Sequence, residues 1–134
     1  HLYNIADRFE AGIALQGTEV KSIRQNQILL TDAYCKVVDG ELLIINLHIA
    51  PYAMGGYANH KPKRKRRLLM HRREIAKVQA KLAERGLTLI PLSVYFKRGM
   101  VKLELGLGKG RKLHDQREHL KEKEAKRELR SFGK

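Results

Sequence analysis

The run NHKPKRKRRLLMHRRE, residues 59–74, places eight cations within residues 61–73 and no acid among them. Like charges at that density repel one another, and the run destabilises the chain unless an anion compensates it. Guanidinium forks match phosphate oxygens in pairs and lysines add point charge, so the chemistry on offer is polyanion binding, centred on Arg64, Lys65, Arg66 and Arg67. Pro62 discourages a helix through the first half, which presents the cations on an extended loop that runs into a helix. A solvated charged face and a nuclear import signal are the competing readings. Leu68, Leu69 and Met70 interrupt the charges and are expected to anchor the loop on a core, unless one of them meets a base.

Other chemistries fit less well. GLGKG at 106–110 stands where a phosphate-binding glycine loop would, but it lacks the spacing of a Walker loop or a dinucleotide fingerprint. Its glycines are expected to form a hinge ahead of the C-terminal segment. The six histidines show no paired spacing on one helix, and a single cysteine cannot build a structural zinc site, so no metal and no cofactor is expected. Cys35, in the strand-like run around Tyr34 and Lys36, reads as a buried hydrophobe and fits a reducing cytoplasm. No spacing nominates an acid and base pair, and an enzyme is not expected.

The net charge of +14 and the pI near 10.2 point to RNA, DNA or an anionic surface as partner. Residues 1–60 hold four Lys/Arg against six acids, an ordinary folded surface. The excess sits in the central run and in residues 108–134, where ten Lys/Arg face five acids, and this implies two contact zones. No apolar run approaches the roughly twenty residues of a membrane span. The start at His1, with no initiator Met, suggests a short N-terminal lead that has been trimmed or lies outside these residues.

These zones need elements to position them. YNIADRFEAGIAL reads as a strand broken at Gly12, and GTEVKSIRQN as a short helix with Thr18 as its N-cap. TDAYCKVVDGELLIINLHIAPY is a hairpin turning at Asp39-Gly40, and AMGGYANHKPK is loop. Ile75, Val78 and Leu82 line one face of a helix over His71–Arg85, closed by Gly86. A second hairpin turns at Arg98-Gly99. The fold class expected is mainly β with helices: about five strands in an antiparallel barrel resembling the oligonucleotide-binding (OB) fold, over residues 1–107, with a basic tail over 108–134. In that tail Leu113, Leu120, Leu129 and Phe132 are too sparse for a continuous apolar stripe, so an outside partner is expected to order it.

FEAGIALQGTEVKSIRQNQILLTDAY (9–34), NLHIAPY with NHKPKRKRRLLMHRREI (46–75) and the stretch from Gly86 to Leu129 together resemble the SmpB family of SsrA-binding proteins. The similarity runs in order along nearly the whole chain. It implies an OB-type barrel that grips the tRNA-like domain of transfer-messenger RNA as a monomer, one protein to one RNA. It also implies a tail that enters the vacant mRNA channel of a stalled ribosome, near the small-subunit decoding centre, and becomes helical there.

Carried over by motif, the RNA-facing residues of the barrel are Glu10, Glu19, Lys21, Arg24, Tyr34, His48, Leu69 and Lys102. The tail motif places Lys109, Gly110, Arg111, Lys112, His114, Asp115 and Arg117 against the ribosome, with His114 suited to stack on a decoding-centre base. Asn26 stands where the family usually has Gly, and Asn tolerates the positive φ of that turn. Gln27 and Gln116 each replace a frequent Lys. The alternative reading is a ribosomal or RNA-chaperone barrel that binds structured RNA generally. A peptidyl-tRNA hydrolase, the third, lacks its Gly-Gly-Gln tripeptide.

Overall fold

In the computed structural model, residues 3–84 and 86–110 are described. The elements follow in the order β1 (Tyr3–Ile13), α1 (Gly17–Arg24), β2 (Ile28–Leu29), β3 (Tyr34–Val38), β4 (Glu41–Ile45), β5 (His48–Ile49), a 3-10 turn (Gly56–Ala58), β6 (Arg66–Leu69), α2 (Arg72–Leu82), β7 (Leu87–Lys97) and β8 (Met100–Gly110). Six strands close a barrel in the order β1-β6-β4-β3-β7-β8, every pairing antiparallel, and β2 and β5 form a separate two-stranded ribbon.

Both hairpins turn where expected. Asp39 and Gly40 have φ of 52° and 79°, Arg98 and Gly99 54° and 79°, the paired left-handed residues of a two-residue turn whose twist matches the strands. Period-2 alternation then fills the core. Val101, Leu103, Leu105 and Leu107 point inward from β8, meeting Ala11 and Ile13 of β1, Leu42 and Ile44 of β4, Leu68 of β6 and Leu89 of β7. α2 adds Val78, fully buried, with Ile75 and Leu82 packed beside it, which is the face its spacing forecast.

Three local expectations are corrected. β1 runs unbroken through Gly12, which pairs with both Leu69 and Lys102. The 106–110 glycines are not a hinge: β8 continues to Gly110, and a Cβ on Gly106 would stand 2.8 Å from Leu92 Cδ1 and 3.0 Å from Ile5 Cδ1. Glycine is there because neighbouring side chains fold over it, and the barrel outruns the boundary drawn at residue 107. The N-cap of α1 is Gln16, two residues before Thr18.

One inward position is occupied by a charge. Arg66 alternates with Leu68 on β6 and is 1 % exposed, and Glu19 of α1 beside it is 0 % exposed. Arg66 Nε donates to Glu19 Oε2 at 2.5 Å, Nη1 to the carbonyls of Leu47 (2.7 Å) and Arg64 (3.1 Å), and Nη2 to those of Pro62 (3.0 Å) and Lys61 (3.5 Å). All five guanidinium hydrogens are thus directed at acceptors. Arg64 grips the same carboxylate through Nη2 (2.6 Å) and Nε (3.0 Å), and Glu19 also accepts the Gln16 N–H at 2.8 Å, which closes the first turn of the helix. α1 is stitched further by Ser22 Oγ, which donates to the Ala50 carbonyl (2.7 Å). His60 lies within 2.9 Å of the Ile49 carbonyl through Nε2, so Nε2 carries the hydrogen, and in the neutral ring Nδ1 accepts from the Thr18 hydroxyl at 2.8 Å.

Removing one partner of such a buried pair strands the other without compensation. Glu19→Ala is expected to destabilise the fold by about 3–5 kcal/mol, read by urea unfolding. Burial tends to raise the Glu19 pKa, but the donors from Arg64, Gln16 and Arg66 outweigh it and hold the carboxyl below its ordinary range. A depressed folded pKa stabilises at pH above the unfolded value of about 4.3, and that contribution fades as pH falls through the folded value. The acid limb of the native stability profile should therefore be steeper than that of Glu19→Ala.

Candidate nucleic-acid interface

The outer face of the barrel follows from the same alternation. With Leu103 and Leu105 turned inward, Lys102 and Glu104 of β8 face out. Strand register sets Lys102 between Gly12 of β1 and Tyr95 of β7, and Gly12 in turn beside Leu69 of β6. A single row, Leu69–Gly12–Lys102–Tyr95, thus crosses four strands. Gly12 leaves a gap in it, over which Leu69 Cδ1 and Lys102 Nζ both lie 3.6 Å from where a Cβ would stand. Leu69 is 41 % exposed despite its size, and Lys102 has no ion-pair partner among the described residues.

In the next row Glu10 faces Glu104, two acids across one strand pair. Each has its own cation: Arg8 reaches Glu104 at 3.3 Å and Lys97 reaches Glu10 at 3.2 Å. Glu10 also accepts the Tyr95 hydroxyl at 2.5 Å. That hydrogen bond, followed by the one from Lys97, holds the Glu10 carboxyl below its usual range. The same bond pushes the Tyr95 phenol up to about 12. Glu10 is therefore an ionised acceptor held in a fixed orientation at the edge of the Lys102 row.

The outward face of α1 gives the second patch. Lys21 lies over the Tyr52 ring, 5.5 Å from its centre, and Arg24 over the Phe96 ring at 5.1 Å. The aromatic faces steady two exposed cations that have no ion-pair partner among the described residues. Phe96 lies between Tyr95 and Lys97 on β7, so the β7–β8 hairpin links this patch to the first.

Of the sequence-nominated residues, Leu69, Lys102 and Glu10 share one face, and Lys21 and Arg24 another. Tyr34 opens β3 and is exposed; His48 in β5 pairs with Leu29, is half-buried, and has its Nδ1 buried without a hydrogen-bond partner. Glu19 and Arg66 must be withdrawn from the RNA-facing set, because both are enclosed, Arg66 bonded to Glu19 and to four backbone carbonyls and Glu19 held by Arg66, Arg64 and the Gln16 N–H. Arg64, half-buried, is bound to Glu19, and Arg67 on the surface reaches Glu41 at 3.6 Å. Three of the eight cations of the basic run thus find an acid inside the chain; Lys61, Lys63, Lys65, Arg72 and Arg73 remain exposed and unpaired among the described residues. Lys109, read as tail, is an exposed β8 residue paired with Leu87 and Asn4, and Gly110 ends the strand opposite Tyr3. Arg111, Lys112, His114, Asp115 and Arg117 lie outside the described residues.

No motif in the sequence nominates Tyr95, Phe96 and Lys97. Their signal was present in the Arg98-Gly99 turn, since a two-residue loop pairs Lys97 with Met100 and so Tyr95 with Lys102. Cys35 is buried with its thiol pushed up to about 12 by that burial, which makes it inert as a nucleophile. Among the described residues no group of three or more His, Cys, Asp or Glu could hold a metal, and no helix is long and apolar enough to cross a membrane.

The family described as SmpB protein matches residues 1–134. The chain belongs to the SmpB family. It is 53 % identical to the SsrA-binding protein of Pelotomaculum thermopropionicum over 129 residues, covering 96 % of this chain and 84 % of that one. It is 54 % identical to that of Trichormus variabilis over 130 residues, with the same coverage. A solved chain described as "tmRNA-SmpB: a journey to the center of the bacterial ribosome" superposes with a TM-score of 0.72 at 46 % identity, covering 96 % of this chain and 93 % of the other.

The Glu10–Tyr95 bond is directly measurable. The difference in phenolate absorbance between the native protein and Tyr95→Phe should titrate near pH 12, and in a Glu10→Gln background the Tyr95 pKa should return toward about 10.

Proposed function

We propose that this SmpB-family chain is a non-enzymatic adaptor that binds the tRNA-like domain of transfer-messenger RNA and delivers it to stalled ribosomes in trans-translation. Family membership supports the partner, since the relatives carry the name SsrA-binding protein and the superposed chain is described with transfer-messenger RNA in the bacterial ribosome. The observation that carries the mode of binding is the row Leu69–Gly12–Lys102–Tyr95 with Glu10 at its edge.

Each member of that surface has a distinct task. Lys102 meets a phosphate, and the exposed Leu69 side chain offers an apolar contact to the sugar or base attached to it; Gly12, with no side chain, lets both approach across β1. Glu10 cannot serve a phosphate. Ionised and oriented by Tyr95 and Lys97, it selects partners that donate, a base amine or a 2′-hydroxyl, and so contributes discrimination more than affinity. Lys21 and Arg24 extend the electrostatic footprint along α1. Residues 111–134 carry the tail motif and take the role of entering the vacant mRNA channel, where ribosomal phosphates order a chain of high charge.

Binding to the tRNA-like domain should be titrated beside a size-matched elongator tRNA from about 50 to 200 mM salt, a range over which an electrostatic binder with ~6–10 phosphate contacts loses on the order of a thousandfold or more. A preference for the tRNA-like domain that persists at high salt is expected; parallel collapse on both RNAs would favour the general RNA-binding barrel. Lys102→Ala should weaken both RNAs and reduce the salt slope by about one, whereas Glu10→Gln should narrow the preference between them with little change in slope. Charge reversal over 111–117 should spare RNA binding and abolish rescue on stalled ribosomes; equal loss of both would count against separate contact zones.

A further inference from the structure

The loop from Tyr52 to Asn59 is organised by a single side chain. Asn59 Oδ1 accepts the Tyr52 N–H at 2.9 Å while its Nδ2 donates to the Tyr52 carbonyl at 2.7 Å. Inside that clasp the Gly55 N–H donates to the same carbonyl (2.9 Å), and Gly56–Ala58 coil into the 3-10 turn. There is no room at Gly55 for a side chain: a Cβ would stand 2.6 Å from Asn59 Nδ2 and 3.2 Å from Thr18 Cγ2, so the loop is seated on the first turn of α1.

A loop fixed this firmly nonetheless turns its two largest central side chains to solvent. Tyr57 is 105 % exposed and Met54 83 %. The Tyr57 ring does not pack on the fold it belongs to, and the stretch of sequence around it carries one sign of charge. No Asp or Glu occurs between Glu41 and Glu74. Lys61, Lys63 and Lys65 follow the loop, exposed and unpaired among the described residues, and Lys21 lies over the ring of Tyr52, where the loop begins. An exposed aromatic among cations suits a nucleic acid, whose bases offer flat faces and whose phosphates offer the counter-charge.

We propose that Tyr57 is a stacking platform for an unpaired base of the bound RNA, with Met54 beside it and with Lys61 and Lys63 on the flanking phosphates. This rests on the RNA-binding reading above but concerns a surface outside the residues assigned there. The preformed loop favours the contact, since little backbone freedom is lost when the base arrives. Stacking of this kind tolerates any base, so the platform adds affinity without reading sequence.

Residues 1–134 contain no tryptophan, so Tyr57→Trp in this chain carries a single fluorescent reporter. Titrated with the tRNA-like domain, its emission should quench in step with binding. Tyr57→Ala should lose about 5- to 100-fold in affinity, by the same factor at about 50 and 200 mM salt because stacking releases no counterions, while Tyr57→Phe should bind as the parent does. Lys61→Ala should instead lower the salt slope by about one. An emission that stays constant while RNA binds, an unchanged affinity in Tyr57→Ala, or a Tyr57→Phe loss equal to that of Ala would each overturn the stacking and leave RNA binding standing. If the parent chain binds neither RNA, the functional reading fails and the platform with it.

Discussion

The carboxylate of Glu19 is shared by two guanidinium groups of the basic run, that of Arg66 inside the barrel and that of half-buried Arg64 beside it, and the fold is arranged around that shared anion. An arginine in an inward strand position is tolerable only if its charge is matched and its hydrogens are all accepted. Meeting those conditions fixes several segments at once: α1, the chain around Leu47, and the turn at 61–64 all supply acceptors to one side chain. The helix cannot shift along the barrel without breaking the bonds from Arg64 and Arg66 to Glu19. This is why α1 can present Lys21 and Arg24 in defined positions although it has only eight residues.

The network also sorts the cations by task. Adjacent residues of the basic run have opposite fates because β6 alternates: Arg66 and Leu68 face the core, Arg67 and Leu69 the solvent. The GTEVKSIR segment is sorted in the same way by helical geometry, with Glu19, Ser22 and Ile23 buried and Lys21 and Arg24 exposed. What reads in one dimension as a patch of positive charge is in three a structural half and a binding half. The binding half rests on strands and a clasped loop, supports rigid enough to hold a recognition surface before the partner arrives.

The parts legible in the sequence were those governed by local rules. Asp39-Gly40 and Arg98-Gly99 announced their turns, Ile75, Val78 and Leu82 their helix, and Asn26 does adopt the positive φ, 59°, that its place after α1 requires. The residues of the Lys102 face could be nominated by motif, but their convergence depends on strand register. The rest was hidden by distance along the chain. Glu19 is 45 and 47 residues from Arg64 and Arg66, and no periodicity marks a pairing at that separation. Gly12 and Gly106 misled because glycine in a sequence suggests a break or a hinge, whereas here each makes room for side chains from neighbouring strands.

The register of β1 against β8 sets Tyr3 opposite Gly110, so both ends of the barrel leave it side by side from the same edge of one antiparallel pair. Tension applied between Tyr3 and Gly110 would meet the ladder in its mechanically weaker direction, opening hydrogen bonds one after another from that edge instead of shearing them all together. The Glu19 cluster is tied to the far end of β1, through the Ala14 carbonyl, and lies beyond the first bonds to yield. A pull transmitted along residues 111–134 would therefore fray the barrel locally and leave the anchored helix and its cations in place.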